Sequence, residues 1–149
     1  MIKRGDDTCP VHKVIVCCRS TTFAKAINFP GNEAEEKTIK SPDNEPAAIK
    51  LLCRFTCAPW VCEICYYLVE GEADQLVVHA KMYEIADNYD VAGLKNLCIE
   101  KNKRACFKSW DDPKFAESAH HVYCTTPSRD KGLRKIVTKT SSSHMSLLE

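Results

Sequence analysis

The chain predicts a mainly helical α+β fold, a helical cluster beside a small, reduced β-sheet. Three observations carry that expectation. Apolar residues recur at helical spacing in several separate stretches. Capping and breaking residues (Ser20, Asp90, Asp112 and several prolines) stand between those stretches. Strand-like alternation is weak and falls at residues 35–40 (EEKTIK), where a charged sequence suits the edge of a sheet.

The strongest helical signal precedes and fills residues 79–98 (HAKMYEIADNYDVAGLKNLC). Val78, Met82, Ile85, Ala86 and Tyr89 recur at i, i+4, i+7, i+8 and i+11, one face of a helix. Ala80 and Tyr83 widen that face, so the helix is expected to be buried around much of its girth. Asp90 ends it and is expected to cap a second helix whose stripe is Leu94, Leu97 and Cys98. Two helices with almost no linker make an αα-hairpin. No nucleophile, base or phosphate cradle stands out in it, so it reads as core.

Upstream, Val11, Val14, Ile15 and Cys18 fall at i, i+3, i+4 and i+7, favouring a helix over a strand. Ser20 suits the N-cap of a second short helix through Phe23, Ala24 and Ile27, closed by the turn at residues 29–32. His12 could serve as a metal ligand or a base. With no second ligand beside it, a histidine hydrogen-bonded at a helix start is the preferred reading. Residues 41–46 form a turn with Pro46 at a first helical position, and Ile49, Leu52, Cys53 and Thr56 follow as a helical face. Residues 66–69 are an apolar run before a loop, and Asp74 is expected to cap the helix containing His79. Asp112-Pro113 is a strong start for a helix through Phe115, Ala119, Val122 and Tyr123. Thr126-Pro127 breaks it, and Leu133, Ile136 and Val137 mark another. Helices are thus expected near 12–28, 46–56, 75–89, 91–105 and 113–124. Residues 1–10 read as a flexible N-terminus, and the Ser/Thr-rich residues 138–149 as a disordered tail.

Composition bounds the function. At 149 residues, 44% hydrophobic and 28% charged, the chain is sized and composed as one ordinary globular domain. A net charge of +1 argues against a dedicated nucleic-acid binder, since phosphate contacts need a concentrated basic surface. The cations at Lys101, Lys103, Arg104 and Lys108 read as a solvated helix face. No apolar run approaches the roughly 20 residues of a membrane span, and the N-terminus lacks a signal-peptide core. The expectation is an intracellular protein of the cytoplasm or nucleus, with no nucleic-acid or membrane partner.

Ten cysteines are read as reduced thiols, Cys53 and Cys98 among them at core spacing. The alternative is a small zinc-binding structural module using Cys53, Cys57, Cys62 and Cys65. Cys62 and Cys65 form one Cys-x-x-Cys knuckle, and Cys53 and Cys57 share a helix face at i and i+4. A redox dithiol is disfavoured because no thioredoxin-like βαβ pattern surrounds it. No metal or cofactor is expected. No Ser/His/Asp, paired-carboxylate or glycine-rich phosphate motif marks an enzyme.

Three segments resemble the BTB/POZ domain in the form common in fungal proteins. Tyr83, Ala86, Asp87, Tyr89, Leu94 and Lys95 match the order of residues in its closing helices. Val11-His12-Lys13, Arg19-Ser20 and Phe23 match its first helical hairpin. Val122-Tyr123, Thr126-Pro127 and Gly132-Leu133-Arg134 match a segment after its last helices. The resemblance covers residues 11–137, read as the domain with a C-terminal helical extension. It implies a protein–protein interaction module that self-associates or serves as a substrate adaptor for a cullin-type ubiquitin ligase. Arg54, Phe55, Thr56, Cys57 and Ala58 depart from the family's aromatic, glycine-ended segment. Ten residues before Val11 are too few for the family's two opening strands, which marks the chain as divergent or N-terminally truncated. Apolar surface those strands would cover is then expected on the first hairpin, at Val14, Ile15, Phe23 and Ile27. A second face, at Phe55 and Trp60, corresponds to the family's cullin contact. The expected partners are a second copy, another protein, or a cullin scaffold.

Overall fold

The computed structural model describes residues 1–4, 7–29, 31, 36, 38–40, 46–57 and 71–145. Its elements run β1 (Ile2–Arg4), β2 (Asp7–Cys9), α1 (Lys13–Arg19), α2 (Thr21–Asn28), β3 (Ile39–Lys40), α3 (Pro46–Cys57), α4 (Asp74–Asn88), α5 (Leu94–Ser109), α6 (Pro113–Thr125) and α7 (Leu133–Met145). The fold is mainly helical α+β with a small sheet. The chain divides into two compact units, Met1–Ile64 with Ile85–Leu94, and Cys65–Glu84 with Lys95–Glu149.

In the first unit the strand order is β2-β1-β3. β1 and β2 pair antiparallel with Ile2 opposite Cys9, and β1 and β3 pair parallel with Ile2 beside Ile39. Residues 1–10 are therefore not a loose terminus, and two strands do fit ahead of Val11. They fit because each is only three residues long, and because Ile2 and Ile39, 1% and 4% exposed, bury one apolar pair across the β1–β3 boundary. The strand expected at residues 35–40 is reduced to Ile39–Lys40, at an edge of the sheet. Charged residues 35 and 37 and the turn at 41–45 lie outside the described residues, as does the apolar run at 66–69.

α1 and α2 meet at Ser20, which both ends the one and begins the other. Its Oγ accepts from the Phe23 backbone N–H at 3.1 Å, satisfying an orphan donor of α2's first turn, and donates to the Tyr89 carbonyl. Ser20 also forms a β-bridge with Val91, and the Ala92 N–H donates to the Arg19 carbonyl at 2.8 Å. This is the joint on which the first unit is built. Phe23 is buried there with its ring 4.8 Å from that of Tyr89. Asp90 does not cap α5. It adopts a left-handed backbone (φ 45°) that ends α4, and it accepts from the Thr21 hydroxyl. Gly93, at φ 81°, takes the chain through a second left-handed step before α5 starts at Leu94. His12 stands at the N-cap of α1 but is exposed, and its imidazole makes no capping bond.

The second unit is organised by α4, whose Leu76, Val77, His79, Ala80, Met82 and Tyr83 are all buried. Asp74 is α4's first residue, so its carboxylate lies in the first turn and not in the cap position. Leu76, Ala105 and Cys106 form a small core against which Phe115 and Ile136 pack. The Leu76 carbonyl accepts from the Ser118 hydroxyl at 3.0 Å and the Asn102 amide at 3.4 Å, so α5 and α6 share one buried acceptor on α4. α6 starts as its sequence expects, with Pro113 in its first turn and Asp112 Oδ1 accepting from the Lys114 N–H at 2.8 Å. The tail expected to be disordered from residue 138 continues as helix to Met145. Leu133 and Val137 are buried and hold α7 down, and the Ser142 and Ser143 hydroxyls donate to the Lys139 carbonyl at 3.1 and 2.8 Å. His144 stacks on Trp110 at 3.9 Å between ring centroids.

Candidate interaction surface

α1 is seven residues long and buries a single side chain, Val16. The apolar residues flanking it in sequence cannot share that face, because successive helical positions turn by about 100°. Val14 and Ile15 therefore point outward and are 74% and 38% exposed, neighbours on a helix with Lys13 and Arg19 as its only charges. Phe29, at the C-cap of α2, adds another exposed apolar side chain of the same unit. An isolated exposed valine is ordinary, but an outward β-branched pair on so short a helix is solvent-facing apolar surface.

The remaining expected interface residues divide. Phe23 is 1% exposed and belongs to the core beside Tyr89, so it offers no surface. That is a correction: it was expected, with Val14, Ile15 and Ile27, as surface left bare by missing opening strands, whereas the Ser20 joint turns α2 so that Phe23 faces inward. Ile27 is half-buried and Phe55, on α3, is half-buried, while Trp60 lies outside the described residues. Of the cysteines considered as zinc ligands, Cys53 is buried on α3 and Cys57 ends the same helix. Cys62 and Cys65 lie outside the described residues. Among the described residues no group of three or more His, Cys, Asp or Glu could hold a metal ion.

A polar cluster in the second unit has no counterpart in the sequence reading. Asp130 accepts from the Tyr83 hydroxyl at 2.7 and 2.8 Å and from the Gly132 N–H at 2.8 Å, with Lys95 Nζ at 3.1 Å. Burial raises its carboxyl, but the Tyr83 hydroxyl, the Gly132 amide and Lys95 together hold it below the usual range. Tyr83 is pushed up to about 12, first by burial and then by Asp130, so it stays a neutral donor. A Cβ at residue 132 would lie 2.2 Å from the Tyr83 oxygen, which is why glycine stands there. Just beyond, Arg134 Nε donates to the Thr126 hydroxyl at 2.9 Å and its Nη2 to the Tyr123 carbonyl at 2.9 Å, closing the end of α6. Thus Tyr123, Thr126, Gly132 and Arg134, quoted above for the resemblance, hold the α6–α7 turn. The arrangement is a clamp on the α6–α7 turn.

His79 is 2% exposed, and neither ring nitrogen has a hydrogen-bond partner among the described residues. Burial, with Lys101 adding repulsion, brings its imidazole down to about 4, so it is neutral at physiological pH. Burial likewise pushes the Cys106 thiol up to about 11, leaving it an inert core group. No helix among the described residues is long and apolar enough to cross a membrane. No protein-family model and no curated protein matches the chain significantly.

Proposed function

We propose that the chain is a protein–protein interaction module of BTB/POZ type, without catalytic activity of its own, that pairs through the outer face of α1. The observation that carries this reading is the outward apolar pair Val14 and Ile15, 74% and 38% exposed on a helix whose opposite face is core. Burying such a pair at an interface removes apolar area from water at about 25 cal/mol per Å². The resemblance supports the same element as the pairing surface. The partner is a second copy or another protein, and the finer reading is a substrate adaptor in the cytoplasm or nucleus. In that reading Phe55 of α3 faces a cullin-type scaffold.

The test is affinity capture from a fungal extract with three baits: the native chain, Val14→Glu with Ile15→Glu, and Phe55→Glu. The reading expects partners to be lost with the α1 double variant, and cullin to be lost selectively with Phe55→Glu. Capture of the same proteins by all three folded baits would refute it. Far-ultraviolet circular dichroism of each bait separates a lost surface from a lost fold.

A further inference from the structure

Outside the clamp and the α1 surface, the strongest solvent-facing feature lies on α5. The core side of that helix runs through Asn102, Ala105, Cys106 and Ser109, all buried. Lys103, Arg104, Phe107 and Lys108 fall at i, i+1, i+4 and i+5 on the opposite side, and all four are exposed. Phe107 is 85% exposed, more than any other large apolar side chain among the described residues. The helix holds it outward, because Ala105 and Cys106 beside it belong to the core. Five of the six charged residues of α5 are cations in a chain whose net charge is +1, so positive charge is concentrated on this helix. Two of the cations around the ring already hold carboxylates in the open. Lys108 Nζ lies 2.7 Å from Glu72, and Arg104 pairs with Glu100. Such exposed pairs contribute little to stability, so carboxylates from outside the chain can take their places at small cost.

We propose that this face of α5 docks an acidic segment of a partner protein. Asp and Glu side chains of that segment meet Lys103, Arg104 and Lys108, and one of its apolar side chains covers Phe107. Charge complementarity steers and orients the segment, and an aromatic ring closed off from water among the cations is the anchor. An anionic membrane fits less well. One ring projects from a helix whose apolar side is already core, whereas interfacial helices insert a whole apolar face. Single-stranded nucleic acid stacks successive bases on aromatic rings, but here one ring stands alone on the face, with Glu72 and Glu100 among the cations. The surface belongs to the second unit and does not rest on the pairing role of α1.

The probe is a fluorescein-labelled peptide with one Phe and one Leu between runs of Asp and Glu. It is titrated with the full reduced chain and read by fluorescence anisotropy. Phe107→Ser, and Lys103→Glu with Lys108→Glu, are run alongside, with circular dichroism as the folding check. The native chain is expected to bind, and to bind more weakly as salt rises. Phe107→Ser is expected to weaken binding about tenfold, the loss of a buried aromatic anchor, and the charge-reversed variant by at least about as much. A second peptide with Ser in place of its Phe and Leu is expected to bind the native chain about tenfold more weakly, which reads the apolar contact even where a variant fails to fold. No binding by the native chain, or equal binding of the two peptides, overturns the proposal. So does a folded Phe107→Ser that binds as tightly as the native chain. Tighter binding to phosphatidylserine vesicles or to a thymidine oligonucleotide, lost in the same variants, assigns the face to a membrane or a nucleic acid and overturns it equally.

Discussion

Replacing Asp130 with alanine removes the acceptor on which the α6–α7 turn closes. The carboxylate is 9% exposed and is met by the Tyr83 hydroxyl, the Gly132 N–H and Lys95. Lys95 is partly exposed, so its ion pair contributes little after solvent screening. Hydrogen bonds to a charged acceptor contribute about 1.5–3 kcal/mol each, and a buried donor left alone costs about 1–3 kcal/mol. Partial rehydration of the turn offsets part of that, so the expected loss for Asp130→Ala is about 2–4 kcal/mol. Tyr83→Phe removes only the hydroxyl and leaves Asp130 its Gly132 and Lys95 contacts, for about 1–2 kcal/mol. The double variant no longer strands the Tyr83 hydroxyl, so it should cost little more than Asp130→Ala, with a coupling of about 1–2 kcal/mol between the sites. Urea unfolding followed by circular dichroism gives all three values, with the denaturant slope checked for constancy. Losses that simply add to within about 0.5 kcal/mol would show that the Tyr83–Asp130 bond does not hold the turn.

Two further outcomes concern the core. Ile85→Ala and Leu94→Ala, at positions 2% and 3% exposed, should each lose about 2–5 kcal/mol in the same unfolding assay, and a loss under about 1 kcal/mol would misplace the buried face. His79 has a folded pKa lowered from 6.5 to about 4, so it favours folding fully above pH 6.5 and progressively less as pH falls toward 4. That shift corresponds to about 3 kcal/mol over the window, and His79→Leu should remove this part of the acid destabilisation while leaving stability at pH 7.5 unchanged or raised. Identical pH slopes for the two proteins, compared as a difference so that the carboxylates cancel, would contradict it.

The parts of the fold legible in the sequence are those fixed by neighbours along the chain. Met82, Ile85 and Ala86 declare a buried helix face by spacing, and Ser20 and Asp112 declare helix starts because each bonds an amide two or three residues on. What was illegible depends on partners far away in sequence. The β1 strand is three residues and is completed by Ile39, so its own pattern carries almost no signal. Asp130 has no local pattern to mark it, and its role shows only once Tyr83, 47 positions earlier, is placed against it. The Ser/Thr-rich end reads as disordered by composition, yet Leu133 and Val137 anchor it as helix. The candidate surface was half legible: Val14, Ile15 and Phe23 were all expected bare on the first hairpin, but only the joint of Ser20 with Tyr89 and Val91 decides that Phe23 turns inward.

The proposal that two copies pair through α1 is tested most directly by sedimentation equilibrium of the native chain and of the Val14→Glu, Ile15→Glu double variant. Both are run reduced, so that disulfide cross-links between copies play no part. The account predicts that the weight-average mass of the native chain rises above the 16.8 kDa of one copy as concentration increases, while the folded double variant stays at one copy. A native chain that remains at one copy throughout, or a double variant that associates as strongly as the native chain, would contradict it.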